Sequence, residues 1–437
     1  MKKILSYALV FTLSALLITS CLPRNVQVPQ SPLLSALERK SGLIAYIGAD
    51  GNMFVSDQAG GNLKQLTEDA KLPQSQADPY LFYQYPTWSQ DGNKLAFVRT
   101  GAENAKPKSE LLVANINNDD VSEVYASESE HPIYLYWSPD NANVSLLTTS
   151  VSGQSLILQN IPADGSERTV IDTGSPYYWS WAPDGSTMIV HTGGAANSAS
   201  PQHLAFLSME AEIIEDGLDT TPAPFQAPAW SPDGRHILLT RLNDQDQREI
   251  VLTDGNGTFE KVLGTFEVNT AFAWAPDSTK VAFITGNQPM NAGAIGELHV
   301  VNIETSAETI KEEDVYAFFW SPDSEKLAYF VPFLTNQAAD GSQTETQQLV
   351  LQLNMLDVKT SESRELFKYQ PTQQFANILP YFDQYHQSAT IWSPDNNNLV
   401  LSFLTSSGNP RIAVVAASGQ LEPRLLAEGY LAFWSWK

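Results

Sequence analysis

The stretch Trp230-Ser231-Pro232-Asp233-Gly234 decides the fold, because near-copies of it recur along the chain. Seven copies share a tryptophan, a short turn sequence and an aspartate, and they begin at Trp88, Trp137, Trp181, Trp230, Trp274, Trp320 and Trp392. An eighth tryptophan, Trp434, begins a copy of which only the first residues are present. Neighbouring tryptophans are 42 to 49 residues apart, except for 72 residues after Trp320. A regular period of this length is typical of a repeat protein with one supersecondary unit per repeat.

Each repeat has the pattern of a small antiparallel sheet. The Ser/Ala-Pro-Asp stretch after the tryptophan is typical of a β-turn, because Pro fixes φ and Asp, Asn or Gly tolerate the backbone angles of a tight turn. Alternating apolar segments follow the turn and predict a second strand, as at Lys94–Arg99, His236–Arg241 and Lys280–Thr285. Later segments such as Leu111–Ile116 and Leu298–Ile303 predict a third strand, and a second turn leads to a fourth. Four strands in about 45 residues form one propeller blade, and blades stack because a lone blade cannot bury both faces.

The two ends of the repeat region complement each other. The unit at Trp434 has only a first strand, Tyr430–Trp436. Three predicted strands near the beginning, Leu43–Ile47, Asn52–Ser56 and Leu63–Leu66, have no tryptophan unit before them. Joining these ends in one sheet removes an open edge. We therefore predict an all-β protein, an eight-bladed β-propeller of four-stranded antiparallel blades closed by N- and C-terminal strands in one blade. Seven blades are the alternative, if one unit is degenerate.

The repeats resemble the WSPDG-type, WD-repeat-like propeller repeats of TolB and related envelope proteins. The resemblance covers residues 41–437 and implies a propeller fold. TolB itself has six such blades behind a separate α/β domain, whereas this chain has more copies and no room for that domain. The resemblance therefore implies a TolB-type propeller that is not TolB itself, and it does not transfer the role of TolB.

The N-terminal residues predict export and an anchor. Lys2 and Lys3 precede an apolar run that ends close to Cys21, the single cysteine. This arrangement resembles the bacterial lipoprotein signal, in which a cysteine after small residues is acylated. We predict a signal peptide at 1–20, a flexible tether at 21–40 that starts at a lipidated Cys21, and one propeller domain at 41–437. An ordinary signal peptide with an incidental cysteine is the alternative.

Composition excludes several partner classes. The 437 residues include 25 Lys and Arg against 49 Asp and Glu, a formal charge of −24. Nucleic acid is excluded as a partner, because phosphate binding needs clustered Lys and Arg. One cysteine excludes a multi-cysteine metal site. We expect no metal and no cofactor, and contact with the membrane through the N-terminal lipid only.

No catalytic motif is found. The sequence lacks the G-x-S-x-G elbow that a hydrolase domain of the prolyl oligopeptidase type would need. Its six histidines form no metal-binding pair, and the repeated aspartates are expected to fix turns. We therefore predict no catalytic residue and a protein that is not an enzyme. The alternative is a hydrolase, lyase or cyclase in the channel mouth, which would bring His131, His386 and acidic loop residues together.

Binding residues are expected where the chain enters each first strand, because these loops share one face of a propeller. The position four residues before the tryptophan supplies the candidates Gln84, Tyr177, Gln226, Tyr316 and Tyr430. Tyrosine suits this role because it combines apolar area with a hydrogen-bonding group. Simple packing between blades is the alternative interpretation.

The 72-residue unit is expected to add two long loops to the same face, Phe333–Gln348 and Tyr369–Ser388. The second loop supplies four further candidates, Tyr381, Phe382, Tyr385 and His386. Exposed aromatic residues at a propeller rim are energetically unfavourable unless they pack against other residues or bind a partner. The sequence thus predicts a lipid-anchored scaffold on the extracytoplasmic side of a membrane, which binds an envelope or extracellular protein, peptide or glycan.

Overall fold

The computed structural model describes residues 40–437, apart from 74, 76, 77, 104, 105, 119, 151, 152, 154, 194–200, 210, 211, 224, 225, 289–292 and 339–344. The predicted signal peptide, Cys21 and nearly all of the tether lie outside the described residues. Among the described residues, no helix is both long enough and apolar enough to cross a membrane.

The described residues include six sheets of four antiparallel strands each. One sheet joins β1 (Ile44–Gly48), β2 (Met53–Ser56) and β3 (Lys64–Gln65) to β31 (Gly429–Trp434). The next three are β4 to β7 (Tyr80–Trp88, Lys94–Glu103, Lys106–Asn115, Asp120–Ser127), β8 to β11 (His131–Trp137, Asn143–Thr149, Leu156–Pro162, Thr169–Gly174) and β12 to β15 (Tyr177–Trp181, Thr187–Thr192, His203–Ser208, Ile214–Gly217). The last two are β16 to β19 (Ala229–Trp230, His236–Leu242, Arg248–Asp254, Phe259–Phe266) and β20 to β23 (Thr270–Trp274, Lys280–Gly286, Gly296–Asn302, Glu308–Val315). This is the architecture of a β-propeller, as the repeats predict.

The first of these sheets closes the ring. Strand β1 pairs with β31 in antiparallel register, with Ile44 opposite Trp434 and Tyr46 opposite Ala432. The backbone N–H of Leu43 also donates to Ser435 Oγ at 2.8 Å. The N-terminal and C-terminal segments therefore share one sheet, as the complementary ends predict.

The seventh sheet has seven strands. Its members are β24 (Ala317–Trp320), β25 (Lys326–Ala338), β26 (Glu345–Asp357), β27 (Ser363–Pro371), β28 (Asn398–Leu404), β29 (Pro410–Ala416) and β30 (Arg424–Ala427). Two residue pairs join β27 to β28, Gln370 with Leu404 and Pro371 with Phe403. The predicted count of eight separate blades is not confirmed, because these strands form one sheet.

The repeated motif builds turns and inter-sheet bonds. Ser231 Oγ donates to Asp233 Oδ1 at 2.6 Å, and Asp233 Oδ1 accepts from the N–H of Arg235 at 3.1 Å. Equivalent Ser–Asp bonds form in the repeats of Trp88, Trp137, Trp320 and Trp392. The residue after the aspartate, Gly234, has φ of +73°, which glycine adopts without strain. The aspartates therefore fix turns, in agreement with their sequence context.

The long interval after Trp320 has a different structure from the one expected. The predicted loop Phe333–Gln348 belongs largely to a hairpin. Strands β25 and β26 are each 13 residues long and pair along their length, with Lys326 opposite Asp357 at one end and Ala338 opposite Glu345 at the other. The predicted loop Tyr369–Ser388 is also not an exposed rim loop. After β27 it forms two short helices, α1 (Gln373–Ala376) and α2 (Phe382–Tyr385), separated by a 3-10 turn at Leu379–Tyr381.

Candidate binding pocket at the propeller mouth

Residues 372–389 form what we call the axial plug, because this segment contacts the first strands of sheets all around the ring. Thr372 opens it, capping α1 and donating through Oγ1 to the carbonyl of Tyr430 in β31. On the opposite side, α2 packs against β20 and β24. The segment that connects β27 to the repeat of Trp392 therefore runs through the centre of the propeller.

Apolar side chains hold the plug in place. Phe382 is fully buried and packs edge-on against Phe318 of β24, with the ring centroids 4.8 Å apart. Phe375 is 1 % exposed and makes a similar contact with Phe330 at 5.8 Å. Such aromatic pairs contribute about 0.5–1.5 kcal/mol each beyond the area that they bury. The expectation of rim-exposed aromatic residues is therefore wrong for these two, because they are core residues of the plug.

Gln384 ties the plug to two neighbouring sheets. Its side-chain amide pairs with the backbone of Trp179 in β12, donating to the carbonyl at 2.9 Å and accepting from the N–H at 3.2 Å. Its backbone carbonyl accepts from the hydroxyl of Tyr134 in β8 at 2.8 Å. Because Gln384 is only 3 % exposed, these bonds satisfy polar groups that have no access to water.

Asp383 is a buried carboxylate in the plug. It accepts hydrogen bonds from the side-chain amide of Gln226 and from the N–H of Gln384. Burial raises its pKa to about 6 because desolvation disfavours the charged form, and the amide bonds offset this only in part. Gln226 is bonded through its backbone to the buried His191, whose pKa burial lowers to about 4. These groups link the plug to the sheets of β12 and β16.

A pocket of about 400 Å³ remains beside the plug at the mouth of the propeller. Six tyrosines line it, namely Tyr85, Tyr134, Tyr177, Tyr178, Tyr381 and Tyr385. Four amide side chains contribute to it, namely Gln84, Gln374, Asn377 and Gln384. Aliphatic side chains complete the lining, namely Ile47, Ile133, Leu147, Leu156, Pro176, Ile378 and Leu431. The pocket thus lies between the plug on one side and β4, β8, β12 and the closing sheet on the other.

Four of the residues predicted from sequence meet in this pocket. Gln84 and Tyr177 come from two sheets, and Tyr381 and Tyr385 come from the plug. Tyr381 is 40 % exposed and is the candidate most accessible to a partner. The hydroxyl of Tyr177 donates to Asp172 at 2.8 Å.

The other five predicted residues do not line the pocket. Gln226 and Phe382 are buried in the bonds and contacts that hold the plug. His386 stacks on Phe319 and accepts from the N–H of Trp320 at 3.4 Å. Tyr316 is 7 % exposed, and Tyr430 meets the plug through its carbonyl. The burial of Tyr316 agrees with packing, which was the alternative interpretation for the tyrosines that precede each tryptophan, whereas Gln226 makes a hydrogen bond to the plug.

Sequence reasoning missed a second position of the repeat, three residues before the tryptophan. This position is tyrosine in three consecutive repeats, at Tyr85, Tyr134 and Tyr178, and all three line the pocket. In the next four repeats it is a buried alanine, at Ala227, Ala271, Ala317 and Ala389. Ala227, Ala271 and Ala317 leave room for the plug, of which Ala389 is the last residue, and the tyrosines face the pocket. Comparison of this position across the repeats would have located both the plug and the pocket.

Tyr85 has an unusual backbone conformation. Its φ is +55°, and the register between β4 and β5 shifts between Gln84 and Thr87. A non-glycine residue in the left-handed region costs about 1–2 kcal/mol, and such strain concentrates at functional sites. The bulge turns Tyr85 toward the plug, where it lines the pocket.

The enzyme alternative requires His131, His386 and acidic loop residues to come together. His131 contacts Ser109 Oγ through Nδ1 at 3.2 Å and is not among the lining residues. In the described part of the chain, no three His, Cys, Asp or Glu side chains form a group that could hold a metal ion.

Comparisons with known proteins bear on the fold. No family model matches the sequence, and no curated protein matches it. A solved structure of a prolyl endopeptidase has a TM-score of 0.52 at 12 % identity, covering 79 % of this chain and 49 % of that one. The dihydro-heme d1 dehydrogenase NirN in complex with DHE also has a TM-score of 0.52, at 14 % identity, covering 94 % of this chain and 77 % of that one. TolB from Acinetobacter baumannii has a TM-score of 0.36 at 12 % identity, covering 77 % and 81 %. The two structures with TM-scores of 0.52 share the fold of this chain, and its repeated four-stranded sheets are those of a β-propeller.

Proposed function

We propose that this chain is an exported, lipid-anchored β-propeller that acts as a binding scaffold in the cell envelope. Its partner, a protein, peptide or glycan, engages the pocket beside the axial plug. The observation that carries this proposal is the pocket itself, which gathers tyrosines and amides from three neighbouring sheets and the plug at one mouth. A concave site of this size with a few convergent polar groups is typical of ligand binding.

Site-specific crosslinking in cells tests the binding site. A photo-crosslinking amino acid placed at Tyr381 should yield a defined adduct, because this side chain lies at the pocket and is 40 % exposed. The matched control is the same amino acid at Phe259, which is 46 % exposed on β19, away from the pocket. Identical adducts at both positions, or none at Tyr381, would contradict the proposal, and mass spectrometry of the adduct distinguishes a protein from a glycan.

The anchor is tested separately. Cys21→Ser should release the protein from the membrane fraction, because stable anchoring requires acyl chains on that cysteine. Unchanged pelleting of the variant with membranes would contradict lipidation without affecting the proposed pocket.

We further propose that the seven-stranded sheet comprises two blades, which gives eight in all. Its halves meet through only two residue pairs, and a short segment at Trp392 bridges Leu399 of β28. The indole N–H of Trp392 donates to the carbonyl of Phe319 at 2.9 Å, as that of Trp137 donates to Thr87 in the preceding sheet. An experimental density map that shows β27 and β28 continuously paired along their length would instead support seven.

The alternative function is an enzyme with its active site in the channel mouth. Asp383 favours it, since a carboxyl with a raised pKa is a common feature of active sites. Asp383, however, is 7 % exposed and is bonded to amides. The test compares the molecule captured by crosslinking in the wild type and in Asp383→Asn. Chemical conversion of this molecule by the wild type but not by the variant would favour an enzyme over a scaffold.

A further inference from the structure

Among the residues that the structure describes, the lining of the mouth pocket contains no charged side chain, although the chain carries a formal charge of −24. Every described residue that lines the cavity is a tyrosine, an amide or an aliphatic residue. Two carboxylates border the lining without belonging to it: Asp172 accepts from the hydroxyl of Tyr177 at 2.8 Å, and Asp383 has amide partners for both carboxylate oxygens. An anionic group that entered the pocket would therefore lose water without gaining an ion-pair partner.

The tyrosines themselves report this environment. The pKa of Tyr85 is raised by burial, and the pKa values of Tyr178 and Tyr385 are raised well above the usual range by the same cause. In Tyr178 the charge of Asp383 adds to the effect. The desolvation that penalises a phenolate at these positions would also penalise an anionic ligand group.

Given the proposed binding function, we infer that the group entering the pocket is uncharged and largely apolar, and that it is an aliphatic or aromatic side chain of a peptide segment. Seven aliphatic residues, including Ile133, Leu147 and Leu156, offer apolar contact. A glycan fits less well, because its many hydroxyls would lose water against these side chains, and two of the six tyrosine hydroxyls, those of Tyr134 and Tyr177, already donate to groups of the protein. The amides at Gln84, Gln374 and Asn377 suit the peptide groups that flank such a side chain.

A pair of fluorescent probes that differ by one charge tests the inference directly. N-phenyl-1-naphthylamine is uncharged, and 8-anilino-1-naphthalenesulfonate has the same ring system with an added sulfonate. We expect the uncharged probe to bind the full propeller with one-to-one stoichiometry and at least tenfold more tightly than the sulfonate. An excess of the capped dipeptide acetyl-leucyl-phenylalaninamide should displace it, whereas the same concentration of maltotriose should not.

A cation introduced at the pocket should weaken the selectivity for the uncharged probe. Leu156→Arg places a cation at the edge of the pocket, on a partly exposed residue at the start of β10. It should narrow the preference for the uncharged probe to less than threefold. The matched control, Leu63→Arg, changes a residue that is 58 % exposed and does not line the pocket, and it should leave the preference unchanged.

The outcomes separate this inference from the proposed function. Equal affinity of the wild type for both probes, displacement by maltotriose alone, or the same effect of both arginine variants would overturn the inference. None of these results would affect the crosslink at Tyr381, whereas loss of that crosslink would overturn the binding function even if the probes behaved as expected. Thermal melting of the Leu156→Arg variant verifies that it is folded, and Ile133→Lys provides a second cation at the pocket if it is not.

Discussion

The side-chain amide of Gln384 pairs with both backbone groups of Trp179, which places a glutamine of the axial plug where a neighbouring strand would otherwise pair with β12. Trp179 is fully buried, so its backbone N–H and carbonyl depend on this one side chain for their hydrogen bonds. The plug is therefore joined to the sheet by the same kind of bonds that join strands.

Removal of the side-chain amide of Gln384 should lower the stability of the folded protein. Gln384→Ala leaves the Trp179 N–H and carbonyl without these partners in a buried site, so we expect a loss of about 2–4 kcal/mol in the free energy of unfolding. Denaturant titration measures it. Gln374→Ala, which truncates an exposed amide of the same plug, should change stability by less than about 0.5 kcal/mol. Equal effects of the two variants would show that the pairing with Trp179 is not stabilising.

The pH dependence of stability should reflect Asp383. Its pKa is about 6 in the folded protein and 3.8 in a model peptide, so its contribution is fully present below pH 3.8 and is lost as pH rises through about 6. Each unit of pKa difference corresponds to about 1.4 kcal/mol, and burial of the charge thus costs about 3 kcal/mol at neutral pH. Asp383→Asn should therefore gain stability relative to the wild type at pH 7 and gain little at pH 4.

The difference between variant and wild type isolates Asp383 from His191. The pKa of His191 is shifted in the opposite direction, so its contribution is present above pH 6.5 and is lost as pH falls through about 4 in both proteins. Chemical denaturation at several pH values measures the difference. A gain from Asp383→Asn that is the same at pH 4 and pH 7 would be inconsistent with a buried charge at this position.

Two glycines with the same backbone angle distinguish strain from contact with the plug. Gly293 and Gly408 both have φ of +78°, but a Cβ at Gly293 would lie 2.9 Å from the Cα of Pro380, whereas a Cβ at Gly408 would meet nothing within 4 Å. Gly408→Ala should cost about 1–2 kcal/mol for the left-handed conformation alone. Gly293→Ala should cost about 1–3 kcal/mol more, because it also forces the plug to shift. Similar melting temperatures for both variants would indicate that the plug does not pack against this loop.

Ring closure is tested by truncation. Deletion of Tyr430–Lys437 removes nearly all of β31 and with it the partner of β1, including the fully buried Trp434. We expect the cooperative thermal transition to be lost, as measured by calorimetry. Removal of Lys437 alone should leave the transition intact. A cooperative and undiminished transition in the longer truncation would mean that the closing sheet is not needed for the fold.

The repeated motif was sufficient to predict the architecture, because the turn residues and the tryptophan act locally in each unit. The N-terminal strands and the closing sheet followed from the missing parts of the Trp434 unit. The plug could not be predicted in this way, because its burial depends on contacts between residues far apart in the chain, such as Phe382 with Phe318 and Gln384 with Trp179. Apolar residues in a segment without periodicity fit an exposed loop and an inserted plug equally well. Only the alanines before three tryptophans, Ala227, Ala271 and Ala317, indicate the space that the plug fills.

The pairing of β1 with β31 has a consequence for the order of assembly. Of these strands, β1 is synthesised first and β31 last. The closing sheet therefore cannot form while translation or translocation is still under way. Until then, the edge of β1 is open to other strands. In the exported chain that we propose, the edge of β1 would need protection from other strands until β31 pairs with it.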